Sequence, residues 1–184
     1  NAKLGLGNAH INTNRDRQHG RIYRVVYEGN NNKIQSLDGS TTKQLLKFLG
    51  DDNLFWRLTA QRLLVENKHS DAVPALEGLV IQGGKISIHA LWTLHGLGAL
   101  DEKIHTGALI SKEAALRRNA IRALGTDIKS AQMLYDSAVL GDADPLVRLT
   151  AFTKLAMLSD NEPKKDIASL LMKQPENNKD EWIK

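Results

Sequence analysis

The 184 residues carry 25 Lys+Arg against 21 Asp+Glu, 41% hydrophobic residues and no cysteine. This length and composition suit one globular domain with an appendage and argue against disorder along most of the chain. The lack of cysteine excludes a disulfide scaffold, a zinc ribbon, a thiol nucleophile and a c-type haem attached in this stretch, and no apolar run reaches the ~20 residues that a membrane helix needs.

Residues 1–36 hold six basic and two acidic residues, whereas residues 37–184 hold nineteen of each, so the excess positive charge belongs to the opening segment. Gly5, Gly7, Gly20, Gly29 and the run Asn30-Asn31-Asn32 punctuate that segment as loop and turn. Within it, Arg21-Ile22-Tyr23-Arg24-Val25-Val26-Tyr27 has the composition of one β-strand. A single strand is not stable alone, so residues 1–36 are expected to form an irregular, partly extended arm. The chain opens without an initiator Met and stops at Glu181-Trp182-Ile183-Lys184, which reads as the start of a helix. The expectation is a piece of something longer.

From about Ser40 the chain turns helical and repetitive. Arg57-Leu58-Thr59-Ala60, Ser87-Ile88-His89-Ala90, Arg117-Arg118-Asn119-Ala120 and Arg148-Leu149-Thr150-Ala151 recur at steps of 30, 30 and 31 residues. Four residues beyond each Ala stands a Leu: Leu64, Leu94, Leu124 and Leu155. A period of this size fits two helices of about a dozen residues and two short turns, the mark of stacked helical hairpins. First helices are predicted near 41–49, 71–82, 102–110, 129–140 and 163–173, and second helices near 53–66, 86–96, 113–124 and 145–158. A fifth second helix would open near Lys179. Asp144-Pro145 marks a helix start, and Gly50, Gly98, Gly125 and Gly141 mark helix ends. The predicted fold is all-α: a right-handed α-α superhelix of four short hairpins and the start of a fifth over 37–184. The repeat Ala residues should sit where paired helices approach most closely.

Asp144-Pro145-Leu146-Val147-Arg148-Leu149-Thr150-Ala151 resembles a HEAT repeat of the compact bacterial kind. Gly20-Arg21-Ile22-Tyr23-Arg24-Val25-Val26 resembles the closing strand of a sorbosone/glucose-dehydrogenase-like β-propeller. It is followed by Phe55-Trp56-Arg57-Leu58-Thr59-Ala60-Gln61-Arg62-Leu63-Leu64 and Ala90-Leu91-Trp92-Thr93-Leu94-His95-Gly96-Leu97. That order is similar to the large bacterial membrane-bound dehydrogenases, in which a propeller precedes HEAT repeats and a haem-binding cytochrome c segment. The resemblance implies an armadillo-like solenoid, an extracytoplasmic location and an oxidoreductase parent. It also implies that this stretch holds neither redox site and no cofactor, because the propeller is missing and no Cys-x-x-Cys-His occurs.

No chemistry-bearing constellation stands out. The arginine column of 57, 117 and 148 reads either as an anion ladder or as caps on turns that pair with Asp52, Glu113 or Asp144; solenoid packing favours the second. His89 and His95 lie on different helix faces, and no His-Glu-x-x-His occurs, so packed or solvated histidine is preferred to metal ligation. Gly96-Leu97-Gly98 lacks the third glycine of a nucleotide loop and reads as a helix-ending turn. Asp51-Asp52 and Asp101-Glu102 fall at helix starts, where the helix dipole favours carboxylates.

The column two residues after each Ala is Arg62, Trp92, Arg122 and Thr153, and it shares a face with Thr59, His89, Asn119 and Thr150. This face is polar except at Trp92 and should line the concave wall. Trp92 then reads as an interface anchor flanked by Arg62 and Arg122, or as a side chain folded between repeats with Arg stacked on it. The expected role is a non-catalytic protein-interaction or spacer module. Its partner would be a protein, the parent's own propeller or cytochrome segment included. A stand-alone nucleic-acid binder or HEAT-like glycosylase is the alternative, against which the neutral body argues. A phycobilin-lyase-like enzyme is a third reading, and it finds no acid–base pair.

Overall fold

Eight α-helices and no strand make up the described part of the computed structural model, which comprises Gly29 and residues 36–157. The chain divides into two units, Asn1–Ser36 and Leu37–Lys184, and all eight helices belong to the second. They are α1 (Thr42–Phe48), α2 (Leu54–Glu66), α3 (Val73–Gln82), α4 (Lys85–Gly96), α5 (Glu102–Leu109), α6 (Ala114–Ala123), α7 (Ile128–Asp136) and α8 (Pro145–Ala156). The expected strand over 21–27 and the fifth hairpin beyond residue 158 lie outside the described residues.

Local chemistry explains where the helices start. Thr41 and Gln44 form a reciprocal capping box at α1. Asn53, Asp101, Asp127 and Asp144 each accept a backbone N–H of the helix they precede, satisfying donors that the first turn leaves free. Helix α4 ends in a Schellman turn: Ala99 N–H reaches Leu94 O and Gly98 N–H reaches His95 O, with Gly98 at φ +67°. Thirty residues earlier Lys68, at φ 54°, closes α2 through the same pair of bonds to Leu64 and Val65. One helix departs from expectation. The predicted 129–140 stops at Asp136, because Ala138 turns left-handed (φ 57°) and Val139–Gly141 continues as a 3-10 turn.

Packing follows the period. Within each pair α1 contacts α2, α3 contacts α4, α5 contacts α6 and α7 contacts α8, while α2, α4 and α6 each pack on the next even-numbered helix. Ala60, Ala90, Ala120 and Ala151 are all fully buried, as are Leu64, Leu94 and Leu155. A side chain no larger than methyl is what lets helices lie ~8–10 Å apart. Leu124 is buried too, but its backbone has already left α6 for an extended conformation. Each buried leucine contributes roughly 1.5–3 kcal/mol of transfer free energy.

The arginine column anchors the turns. Arg57 Nη1 donates to the carbonyls of Asp51 (2.6 Å) and Asp52 (2.9 Å). Arg117 Nη1 does the same to Ser111 (2.8 Å) and Lys112 (3.2 Å), and Arg148 Nη1 to Asp142 (2.8 Å) and Ala143 (3.2 Å). In the second repeat Ser87 stands in the arginine's place, fully buried, and its hydroxyl donates to Gly84 O at 2.7 Å. The turn there is Gly83-Gly84, with φ +83° and +79°, a backbone open only to glycine at low cost. Glu113 from the following repeat accepts the Gly84 N–H at 2.7 Å.

Candidate interaction face

The even-numbered helices carry most of the contacts between repeats, and α3 also packs on α5. Arg57 Nε donates to His89 Nε2 (3.1 Å), and His89 Nδ1 therefore holds the proton given to Gln61 Oε1 (2.8 Å). Burial, reinforced by the Arg57 charge, holds the His89 pKa below its ordinary value, which suits a ring that must accept at one nitrogen. Trp92 Nε1 donates to Asn119 Oδ1 (2.9 Å), linking α4 to α6, and Asn119 Nδ2 donates back to Ala115 O (2.8 Å). Arg117 makes a bidentate pair with Asp142, Nε to Oδ2 at 2.6 Å and Nη2 to Oδ1 at 2.7 Å. Burial alone would raise the Asp142 carboxyl; the Arg117 hydrogen bond, the Asp144 amide and the charges of Arg117 and Arg148 outweigh it and hold the pKa low.

These partners differ in part from the expected acids. Asp142, not Glu113 or Asp144, takes the Arg117 guanidinium. Asp52 offers Arg57 its backbone carbonyl and gives its carboxylate to Lys85 instead. The aspartates at positions 127 and 144 serve as helix caps, and Glu113 is occupied by Gly84 N–H.

The six residues singled out from sequence all lie on even-numbered helices, but they do not form one continuous cluster. Thr59 Oγ1 is bonded to Phe55 O within α2 (2.8 Å). Arg62 is exposed and reaches Glu66 on its own helix at 3.8 Å rather than Trp92. His89 and Asn119 are partly buried between helices. Trp92 is half-buried, with its ring edge-on to His95 at 5.3 Å. Arg122 is exposed and lines a cavity of about 350 Å³ with Leu149, Thr150, Thr153, Lys154 and Met157.

Two features of this face escape a linear reading. First, it is not polar apart from Trp92. Leu54 (51%), Phe55 (62%) and Leu58 (50%) are exposed along the start of α2, while Trp56 between them turns inward against Phe48. Second, its charge is one-sided. The four even-numbered helices hold eight basic side chains and a single acid, Glu66, whereas the rest of residues 36–157 holds six basic and twelve acidic. The neutral total conceals a segregation between helix layers.

Arg118 joins Arg122 one turn earlier on α6, and its Nε is buried without a hydrogen-bond partner. Repeat arithmetic places Arg118 in the column of Leu58, Ile88 and Leu149. No group of three or more histidine or acidic side chains among the described residues could hold a metal ion. No helix among them is long and apolar enough to cross a membrane. No protein-family model, curated protein or solved structure matches the chain.

Proposed function

We propose that residues 37–184 are a HEAT-like solenoid, a right-handed superhelix of hairpins, that serves as a non-catalytic protein-interaction or spacer module. The parent in this reading is a larger extracytoplasmic dehydrogenase-like protein, and the stretch itself holds no cofactor. The surface containing Thr59, Arg62, His89, Trp92, Asn119 and Arg122 is the contact face, and the parent's propeller or cytochrome segment is the partner. One observation carries the reading: four repeats share a single register, with a fully buried Ala in each and turn carbonyls bound by Arg at the same offsets in three of them. Such uniform scaffolding spends its side chains on holding neighbours together and leaves the outward face of the even-numbered helices to a ligand.

The test is a titration of the chain against separately produced propeller and cytochrome domains, with wild type and Trp92→Ala, whose folding is checked by circular dichroism. Binding by wild type and a weakened, folded Trp92→Ala support the reading. Equal binding by both removes Trp92 from the contact face, and no binding to either domain refutes the parent assignment. A nucleic-acid reading draws on one specific observation, the basic excess of the even-numbered helices, and predicts a steep fall in affinity with salt.

A further inference from the structure

Resting on the interaction reading above, we propose that the exposed face of α2, α4 and α6 binds an acidic protein segment bearing large apolar side chains. Its carboxylates meet Arg118 and Arg122, and its apolar side chains cover Leu54, Phe55 and Leu58. Half-buried Ile88 and Trp92 form the floor between the two ends.

The arginines are chosen by elimination among the eight basic side chains. Arg57, Arg117 and Arg148 are committed to turn carbonyls. Arg62 reaches Glu66, Lys85 pairs with Asp52, and Lys154 donates to Leu124 O at 2.6 Å. Arg118 and Arg122 have no hydrogen bond or ion pair among the described residues, and they stand one turn apart on the same helix face. The Arg118 Nε is buried without an acceptor, so the terminal nitrogens of its guanidinium are the ones open to a carboxylate. Two guanidiniums side by side match carboxylates in a planar, bidentate geometry. No even-numbered helix except α2 contains an acid that could neutralise them from within the layer.

The apolar end decides between protein and nucleic acid. Leu54, Phe55 and Leu58 are each half or more exposed, and the two leucines offer neither a hydrogen bond to phosphate nor a stacking plane for a base. Contiguous exposed apolar side chains beside cations instead suit an amphipathic peptide, whose apolar anchors are desolvated while its charges sit at the rim. The spacing is compatible. Neighbouring helix axes are ~8–10 Å apart, so α2 to α6 spans roughly 16–20 Å, covered by about six extended residues.

The experiment uses the full chain and a fluorescent synthetic peptide of Glu and Leu in amphipathic order. Counterparts carry Gln or Lys in place of Glu, and single- and double-stranded oligonucleotides serve as rivals. The Glu peptide should bind, and Arg118→Gln with Arg122→Gln should weaken it by roughly tenfold or more. Phe55→Ser with Leu58→Gln should weaken it as well, each variant remaining helical by circular dichroism. The proposal is overturned if the Gln or Lys peptide binds as tightly, if the folded arginine variant binds unchanged, or if an oligonucleotide binds more tightly at physiological salt. Propeller or cytochrome binding that survives both arginine substitutions would overturn this assignment and leave the interaction reading standing. Peptide binding without any domain binding would keep this assignment and refute the parent assignment alone.

Discussion

Removing Arg117 should cost more than removing Arg57, because Arg117 joins two repeats through a charged pair with Asp142, whereas Arg57 reaches across to a histidine. The Arg117 side chain is 15% exposed and that of Asp142 is 9% exposed, so neither charge is well solvated once its partner is gone. Breaking a buried pair from one side costs about 3–5 kcal/mol; partial exposure and the remaining Asp144 amide bond to Asp142 (2.8 Å) favour the low end. Arg117→Ala should therefore lose about 3 kcal/mol, roughly 6–12 °C in Tm for a chain of this size. Arg57→Ala, which faces a neutral His89, should lose about 1 kcal/mol. The assay is urea unfolding followed by circular dichroism, with Asp142→Asn and the double variant completing a cycle. A coupling of about 2 kcal/mol is expected. Hydrogen exchange should rise mostly in α7 and α8, since only neighbouring repeats share an interface. The sign with pH follows from the lowered Asp142 pKa: its contribution is present above the unfolded value of 3.8 and is lost as the pH falls through the folded value. Equal losses at Arg57 and Arg117, or an Asp142→Asn variant as stable as wild type, would refute this account.

Ala120→Leu should overpack the contact between α5 and α6 and cost on the order of 1–3 kcal/mol in thermal or urea unfolding; an unchanged Tm would count against the register. His105 is buried, and its Nε2 donates to Ala120 O at 2.8 Å. Burial chiefly, with the nearby charges of His95 and Lys154, lowers its pKa against the opposing pull of that carbonyl. Stability should then be complete above the ordinary 6.5 and fall as the pH drops below it. His105→Gln should flatten that limb in unfolding curves compared at about pH 7.5 and about pH 5.5, and an unaltered slope would assign the effect elsewhere.

The helices were legible because apolar and small residues recur at a fixed period, and the repeat Ala and Leu columns needed no tertiary information. Asp142 was not legible as a partner of Arg117. It lies two residues before the helix cap Asp144, and nothing in the spacing distinguishes which acid of the turn points inward. Ala138 gave no warning that α7 would stop, since Ala is the strongest helix former; the left-handed backbone there is a tertiary override. The exposure at the start of α2 was not legible from the repeat columns. Leu54, Phe55, Trp56 and Leu58 look like one apolar block, yet successive helix positions point 100° apart, so Trp56 alone of the first three turns inward. Charge segregation was hidden for a related reason. Counting along the chain averages each basic even-numbered helix with the acidic turn and odd-numbered helix beside it.

The second repeat shows why the arginine column is scaffolding and not an anion ladder. Carbonyls in the turn ahead of an even-numbered helix have no helical partner, and a buried carbonyl without a donor is costly. Three repeats meet that demand with Arg at one fixed offset. The repeat without Arg meets it with Ser87 on Gly84 O and adds Glu113 on Gly84 N–H. A ladder meant for anions would gain nothing from a substitute that cannot bear positive charge, whereas a turn anchor is served equally well by a hydroxyl. The guanidiniums at 57, 117 and 148 are thus committed to the fold. The cations left for a ligand are those the repeat pattern does not require, Arg118 and Arg122, because in the other repeats their columns carry Leu58, Ile88, Leu149, Arg62, Trp92 and Thr153. Side chains free to vary between repeats are the ones a solenoid can devote to recognition, and here they place aliphatic residues at one end of the layer and, toward the other, arginines without a hydrogen bond or ion pair among the described residues.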